Sequence, residues 1–231
     1  MGLLGSMFSY AIRRGMRTDN PCSGVVRPAD GRRDRRLTDD EFVTLGAALR
    51  AAADRGVWPA AIAAARFITL TGWRNGEALA LQWEHVDLAR RTATLPDTKS
   101  GRSMRPLSHA ACDVLGGLPR IGGLVFPATR GEGEMTGFYS IWMKLAQAGG
   151  LPADVSPHVL RHSFASVAAD LGYAESTIAA LIGHVGRSMT SRYVHSADAV
   201  LLAAADAVAR RIATLMDDAL TADAVPLRGA A

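Results

Sequence analysis

The sequence predicts a mainly α-helical α+β domain that carries a small antiparallel β-sheet. Much of the chain places apolar residues at steps of three and four, which is the period of an amphipathic helix. Two short segments, 92–95 and 104–107, flank the run Thr98-Lys-Ser-Gly-Arg102 and indicate a hairpin. A length of 231 residues with 48% hydrophobic residues provides enough chain for one fair-sized core.

The N-terminal part of the chain is predicted to lie outside this domain. Residues 3–14 form a helical apolar pattern that Gly15 ends, and the next residues lack periodicity, as a linker does. The predicted parts of the chain are residues 1–36, a main domain of residues 37–217 and a tail of residues 218–231.

Helix-start signals place the elements of the main domain. Thr38-Asp-Asp-Glu41 is a capping-box pattern ahead of the first helix, and a proline stands at the start of two others. The predicted helices are 38–54, 59–70, 76–82, 108–115, 136–148, 158–171, 176–182, 188–194 and 198–216. A third strand is predicted near residues 124–126.

Charge and composition bound the possible partners. Residues 1–37 hold eight arginines against three aspartates, which exceeds the net charge of +4 of the whole chain. Such a basic arm favours a polyanion such as DNA, and a solvated linker is the alternative. We find no apolar run of membrane-spanning length and no secretory signal, and Cys22 and Cys112 lack metal-ligand spacing. We therefore expect a cytoplasmic protein with free thiols.

His158 and Arg161 are the first candidates for a functional site. They are three residues apart, so they share one face near the N-terminus of a predicted helix. Unpaired N–H groups and the helix dipole favour an anion there. The pair therefore predicts a phosphate or carboxylate site, and a surface arginine beside a structural histidine is the alternative.

Further reactive residues extend this site. The sequence lacks metal-binding and phosphate-loop motifs, so phosphoryl chemistry would need cations and a nucleophile from the protein. Arg74 supplies a second guanidinium, and Tyr193 is the candidate nucleophile. His158 is its candidate base, and Lys99 at the hairpin tip is the candidate proton donor. Solvated surface roles are the alternatives for Arg74 and Lys99.

Five segments then carry a family resemblance: Thr71-Gly-Trp-Arg74-Asn-Gly-Glu77-Ala-Leu79, Thr98-Lys99-Ser-Gly-Arg102, His158-Val-Leu-Arg161-His162, Leu181-Ile-Gly-His184 and Thr190-Ser-Arg-Tyr193. In this order they resemble the motifs of the tyrosine recombinases, or phage integrase family. The resemblance implies that family's catalytic-domain fold. It also implies site-specific DNA recombination or integration, through metal-independent cleavage and rejoining by a covalent 3′-phosphotyrosyl intermediate.

The resemblance assigns a role to each motif residue. The implied catalytic residues are Arg74, Lys99, His158, Arg161, His184 and Tyr193, with Glu77 in a supporting role. Arg74 and Arg161 would bind the scissile phosphate, and Tyr193 would form the bond to DNA. Lys99 would protonate the 5′-hydroxyl, while the two histidines assist with proton transfer and hydrogen bonding. Trp73 is bulkier than the aliphatic residue typical before the first arginine.

The resemblance also implies partners. We expect the protein to bind double-stranded DNA and to form a homotetramer on paired sites, and a monomer is the alternative for the isolated chain. We expect no cofactor and no membrane partner. The predicted DNA-binding residues are Arg32, Arg33, Arg35, Arg36 and Arg102. Residues 1–36 are similar to the last helix and linker of the family's core-binding domain, and residues 198–216 are expected to dock on a neighbouring subunit. The need for accessory DNA-bending proteins stays open.

Other interpretations remain at this point. Residues 176–193 fit a helix-turn-helix, so a non-catalytic sequence-specific DNA-binding protein is one alternative, although it leaves Arg74 and Lys99 without a role. An inactivated recombinase-like protein is another alternative, but the intact set of reactive residues argues against it. Type IB topoisomerases share the chemistry but not the spacing. We expect His162 to point away from the site.

Overall fold

The computed structural model describes residues 2–26, 35–96, 101–131, 133–183 and 199–217. The chain divides into two units, Met1–Asp34 and Arg35–Ala231. In the first unit, helix α1 (Gly2–Arg13) ends before Gly15, which has a φ angle of 67°. The side-chain amide of Asn20 donates to the carbonyl of Gly5 and the hydroxyl of Ser9, both at 3.1 Å. These bonds fold the following turn back onto α1.

The second unit is largely helical. Its described helices are α2 (Asp39–Asp54), α3 (Pro59–Thr71), α4 (Asn75–Leu79), α5 (His109–Gly116), α6 (Phe138–Ala148), α7 (Pro157–Asp170), α8 (Glu175–Ile182) and α9 (Ala199–Asp217). The predicted capping box opens α2, because the hydroxyl of Thr38 accepts from the N–H of Glu41 and the Glu41 carboxylate accepts from the N–H of Thr38. The predicted helix starts at Pro59 and Pro157 are confirmed.

Three short strands form an antiparallel sheet in the order β1 (Val86–Asp87), β2 (Thr92–Leu95) and β3 (Ser103–Pro106). The predicted hairpin strands are confirmed within one residue, and Ala93 of β2 lies opposite Arg105 of β3. The prediction of a third strand near residues 124–126 was wrong. In the described chain Leu124 makes only an isolated bridge to Gln82, and β1 occupies the sheet edge.

Helix α9 closes the core of the second unit. Its buried residues Val208, Ala209 and Ile212 pack among α2, α3, α5 and α7 of the same chain. The expectation that this helix docks on a neighbouring subunit stays a prediction. The approach of α9 to α2 is so close that a Cβ at Gly46 would overlap the main-chain carbonyl of Met216. None of the described helices has the length and apolarity that a membrane span requires.

The contact between α3 and α7 positions the candidate site. Gly72 ends α3 with a φ angle of 65°, which favours glycine. A Cβ there would also come within 2.6 Å of the ring of Phe164 on α7. The segment after α3, which carries Arg74, therefore passes directly beside the helix that carries Arg161.

Candidate active site

Arg161 is the most deeply buried of the described candidate catalytic residues. It lies in the first turns of α7, with 4% of its surface exposed. One terminal nitrogen, Nη1, donates to the carbonyl of Gly72 at 2.9 Å and to that of Ile182 at 2.7 Å. The other, Nη2, is buried and has no hydrogen-bond partner among the described residues. Arg161 therefore joins the ends of α3 and α8 and keeps donors free for a ligand.

Arg74 is held by the residue three positions later. It stands just before α4, where its main-chain N–H donates to the Glu77 carboxylate at 3.3 Å. Its guanidinium donates to the same carboxylate at 2.6 Å. The side chain of Arg74 is 39% exposed, whereas that of Glu77 is 11% exposed. Glu77 thus fixes the orientation of Arg74 while leaving part of the guanidinium open to a ligand. Its supporting role in the reaction stays a prediction.

Arg105 is a site residue that the sequence interpretation missed. It is 1% exposed, and its guanidinium lies 5.8 Å from the centre of the Trp73 ring. One of its terminal nitrogens is 3.6 Å from the Glu77 carboxylate. The sequence gives no signal for it, because alternation in a short strand would place the apolar Met104 inward and Arg105 outward. The structure shows the reverse, with Met104 exposed and Arg105 buried.

The three guanidiniums affect one another electrostatically. Burial lowers the pKa of Arg161 to about 10, helped by the positive charge of Arg74 and opposed by Glu77. Burial likewise lowers the pKa of Arg105. The negative charge of Glu77 opposes this shift, and the positive charge of Arg74 reinforces it. Arginine stays protonated at neutral pH even so. The site therefore carries more positive than negative charge among its described residues, and it is suited to a bound anion.

His158 and His162 form a close pair on the outer face of α7. Their Nε2 atoms are 3.0 Å apart, and the rings meet edge to face with centroids 4.5 Å apart. The expectation that His162 points away from the site was wrong, because residues four apart on a helix share a face. Desolvation lowers the pKa of His158, and the nearby His162, Arg161 and Arg74 lower it further.

Several predicted residues lie outside the described part of the chain. They are Arg32, Arg33, Lys99, His184 and Tyr193. Gly183, the last described residue before His184, ends α8 in the left-handed conformation with a φ angle of 72°. Because Arg161 binds the carbonyl of Ile182, the point at which the chain leaves α8 toward His184 is fixed beside the arginine cluster.

The other predicted DNA-binding arginines differ in their surroundings. Arg35 is paired with Glu41 and Asp154, so its charge is already balanced within the protein. Arg36 pairs with Asp170 through two exposed side chains, an arrangement that contributes little to stability. Arg102 is exposed just before β3. Contact of these residues with DNA stays a prediction.

The arrangement is suited to binding a phosphodiester. Arg74 and Arg161 present guanidinium groups beside the N-terminal turn of α7, whose dipole also favours an anion. Guanidiniums form paired hydrogen bonds to phosphate oxygens, and His158 stands on the same helix turn as a neutral base. Within the described residues, no group of three or more His, Cys, Asp or Glu side chains is placed to hold a metal ion.

Comparison with known proteins gives the family. The model described as "Phage integrase family" matches residues 35–199. The shufflon-specific DNA recombinase of Escherichia coli is 35% identical over 200 residues, covering 84% of this chain and 49% of that protein. Tyrosine recombinase XerD of Pseudomonas aeruginosa is 29% identical over 216 residues, covering 87% of this chain and 70% of that protein. The chain thus spans about half the length of the shufflon recombinase.

Solved structures agree on the fold. A lambda integrase tetramer bound to a Holliday junction superposes with a TM-score of 0.59 at 21% identity, covering 80% of this chain and 57% of that chain. This likeness confirms the predicted mainly helical fold with its small antiparallel sheet. Since the family model matches most of the chain and a relative above 30% identity agrees with it, the protein belongs to the phage integrase family.

Proposed function

We propose that the chain acts as a tyrosine-type site-specific recombinase that cuts and rejoins double-stranded DNA without a metal ion. The observation that carries the proposal is the cluster of Arg74, Glu77 and Arg161 beside the N-terminus of α7. Arg74 is held by the Glu77 carboxylate. Arg161, more than eighty positions later, is held by the carbonyls of Gly72 and Ile182, and its buried Nη2 is left for a ligand. Such a site suits a phosphodiester, and family membership supports the reaction.

In the proposed cleavage step, Arg74 and Arg161 bind the non-bridging oxygens of the scissile phosphate. The phenol oxygen of Tyr193 attacks phosphorus while the bond from phosphorus to the 5′-oxygen breaks. His158 takes the phenol proton, for which its lowered pKa is useful because it keeps the ring neutral near pH 7. Guanidinium groups offset the charge that builds up in the transition state.

The leaving oxygen must be protonated, and the cleaved strand must then be rejoined. Lys99 donates a proton to the departing 5′-oxygen, and His184 donates a hydrogen bond to the phosphate. The products are a 3′-phosphotyrosyl bond and a free 5′-hydroxyl. Attack of another 5′-hydroxyl on that bond reverses each step and releases Tyr193. The phosphoester bond energy is retained throughout, so the reaction needs no ATP.

Partners follow from the same proposal. The lambda integrase structure contains a tetramer on a Holliday junction, and we propose that this chain also assembles as a tetramer on paired DNA sites, in the cytoplasm. The arginines at positions 32, 33, 35, 36 and 102 would contact the DNA backbone. Residues 1–36 would correspond to the last helix and linker of a core-binding domain.

The experiment is covalent trapping on nicked suicide DNA. A pool of nicked duplexes with a randomised core is incubated with the protein in the presence of a chelator, and adducts are separated on a denaturing gel. We expect an adduct from the wild type, none from Tyr193→Phe, and a normal amount from Tyr139→Phe, which changes an exposed tyrosine of α6. Sequencing the attached strands then gives the preferred target.

Two outcomes would contradict the proposal. An adduct that persists in Tyr193→Phe would assign the nucleophile to another residue. A wild-type protein that binds the duplexes and forms no adduct would favour the non-catalytic DNA-binding alternative.

A further inference from the structure

Arg105 is an unusual residue for the interior of a protein. It lies in β3 with 1% of its surface exposed. Its Nε atom donates to the hydroxyl of Ser103 at 2.9 Å. Both terminal nitrogens are buried and have no hydrogen-bond partner among the described residues. A buried guanidinium with unused donors costs free energy, so it needs an explanation beyond packing.

The described neighbours of Arg105 do not balance its charge. Among the described residues, the carboxylate paired with it is Glu77, 3.6 Å from a terminal nitrogen of Arg105. The same carboxylate oxygen already accepts a hydrogen bond of 2.6 Å from Arg74. Arg161 adds a third guanidinium, and Arg105 lies close enough to lower the pKa of Arg161. One carboxylate is therefore shared by positive groups that it cannot neutralise together.

The guanidinium is also fixed in place from several sides. Trp73 lies beneath it, with the ring centre 5.8 Å away. On another side it fills the space that a side chain of Gly183 would need, since a Cβ there would overlap it. Arg105 thus touches the segment before α4 and the end of α8, the two places that lead to Arg74 and to His184.

We propose that Arg105 is a positioning residue that holds Glu77 from the interior and adds a third positive charge beneath the phosphate-binding arginines. The inference rests on the proposed function, because it assigns the unbalanced charge to a bound phosphate group. Arg105 need not touch the phosphate. In a site of low dielectric constant a fixed charge acts over several ångströms, and an arriving anion offsets the cost of the buried cation.

The test measures binding of inorganic phosphate to the free protein by isothermal titration calorimetry at low ionic strength. Arg105→Met removes the charge and keeps much of the side-chain volume. We expect it to weaken phosphate binding by about tenfold, as Coulomb's law gives for a unit charge roughly 10 Å away at an effective dielectric constant of about 20. Arg105→Lys restores the charge and should bind phosphate within about threefold of the wild type, since the charge term is retained.

Arg91→Met is the matched control. Arg91 is a partly buried arginine that is also ion-paired, but its partner is Asp206 of α9. It should bind phosphate like the wild type. If Arg105→Met does not fold, Arg105→Gln replaces it, and Arg105→Lys still tests whether charge alone maintains binding.

The outcomes separate this inference from the proposed function. Phosphate binding that is unchanged in a folded, uncharged Arg105 variant, or absent in the wild type, overturns the inference. So does an Arg105→Lys variant that binds as weakly as the neutral one. Adduct formation through Tyr193 is measured separately, so a wild type that forms the adduct while Arg105 has no effect on phosphate binding refutes the inference alone. Conversely, Arg105-dependent phosphate binding without an adduct refutes the recombinase proposal alone.

Discussion

Arg161 and Gly72 are joined by a hydrogen bond of 2.9 Å from a guanidinium nitrogen to a main-chain carbonyl. The same nitrogen also donates to the carbonyl of Ile182 at 2.7 Å. One side chain therefore bridges the ends of two helices and also belongs to the proposed phosphate site. We therefore predict that a substitution of Arg161 lowers both the stability of the fold and the rate of cleavage.

Replacing Arg161 by lysine tests this double role. Lysine keeps the charge, but its single ammonium cannot bind two carbonyls and a phosphate with guanidinium geometry. We expect the free energy of unfolding to fall by about 1–3 kcal/mol and adduct formation to slow by about 10²-fold or more. Urea denaturation and single-turnover cleavage measure the two effects. Arg210→Lys, an exposed change on α9, should alter neither; a stable Arg161→Lys would contradict the bridging role.

Replacing Glu77 by glutamine tests how Arg74 is oriented. The amide removes the negative charge that accepts the hydrogen bond of 2.6 Å from Arg74. A misplaced guanidinium should slow cleavage by about 10²-fold, because catalytic geometry tolerates only small shifts. The change is followed as the rate of adduct formation with saturating DNA. Glu84→Gln, at a 72% exposed side chain, is the control. Equal rates for Glu77→Gln and wild type would exclude the orienting role.

The His158–His162 pair predicts a shift in the pH dependence of cleavage. His162 is one of the groups that lower the pKa of His158. If neutral His158 is the base, cleavage slows as the pH falls through this lowered pKa, below the usual value of about 6.5. His162→Gln removes a positive neighbour, so the pKa should rise and the slowing should begin at a higher pH.

The measurement for the histidine pair is the single-turnover rate between about pH 5 and pH 8. His109→Gln replaces a 75% exposed histidine that contacts Asp206 instead, and its profile should match the wild type. A profile of His162→Gln that moves to lower pH, or does not move, would count against His158 as the base.

The contact between α2 and α9 predicts a large effect of a small substitution. In Gly46→Ala the new methyl group would overlap the carbonyl of Met216, so the helices must separate. We expect a loss of about 1–3 kcal/mol in the free energy of unfolding, as overpacked cores show. Gly116→Ala, in a helix with open space around the glycine, should be neutral or stabilising by up to about 1 kcal/mol. Thermal unfolding of both variants distinguishes the two cases.

Much of the helical framework was predictable because its signals are local. Thr38 and Glu41 bond to each other, and Pro59 and Pro157 each begin a helix, so the helix starts follow from neighbouring residues. Arg74 and Arg161 were also identified, since motif spacing preserves them. The position of the third strand was not predictable, because Val86 and Asp87 are too few residues to show an alternating pattern.

The misplaced site residues have a different cause. His162 was judged by its neighbour Arg161, from which it is rotated by about 100° on the helix, whereas four residues separate it from His158 on nearly the same face. Arg105 escaped notice because an arginine in a strand of four residues is normally solvated. Its burial depends on the end of α8 and on Trp73, which only the tertiary structure brings to it.

Helix α9 has a consequence for how the protein is made. It is the last described element of the chain, and it fills a core whose first helix, α2, begins at Asp39. Contacts of such long sequence separation form late, after the intervening chain has been synthesised. The ribosome must therefore release residues up to about Asp217 before α9 can complete the core that begins at Asp39.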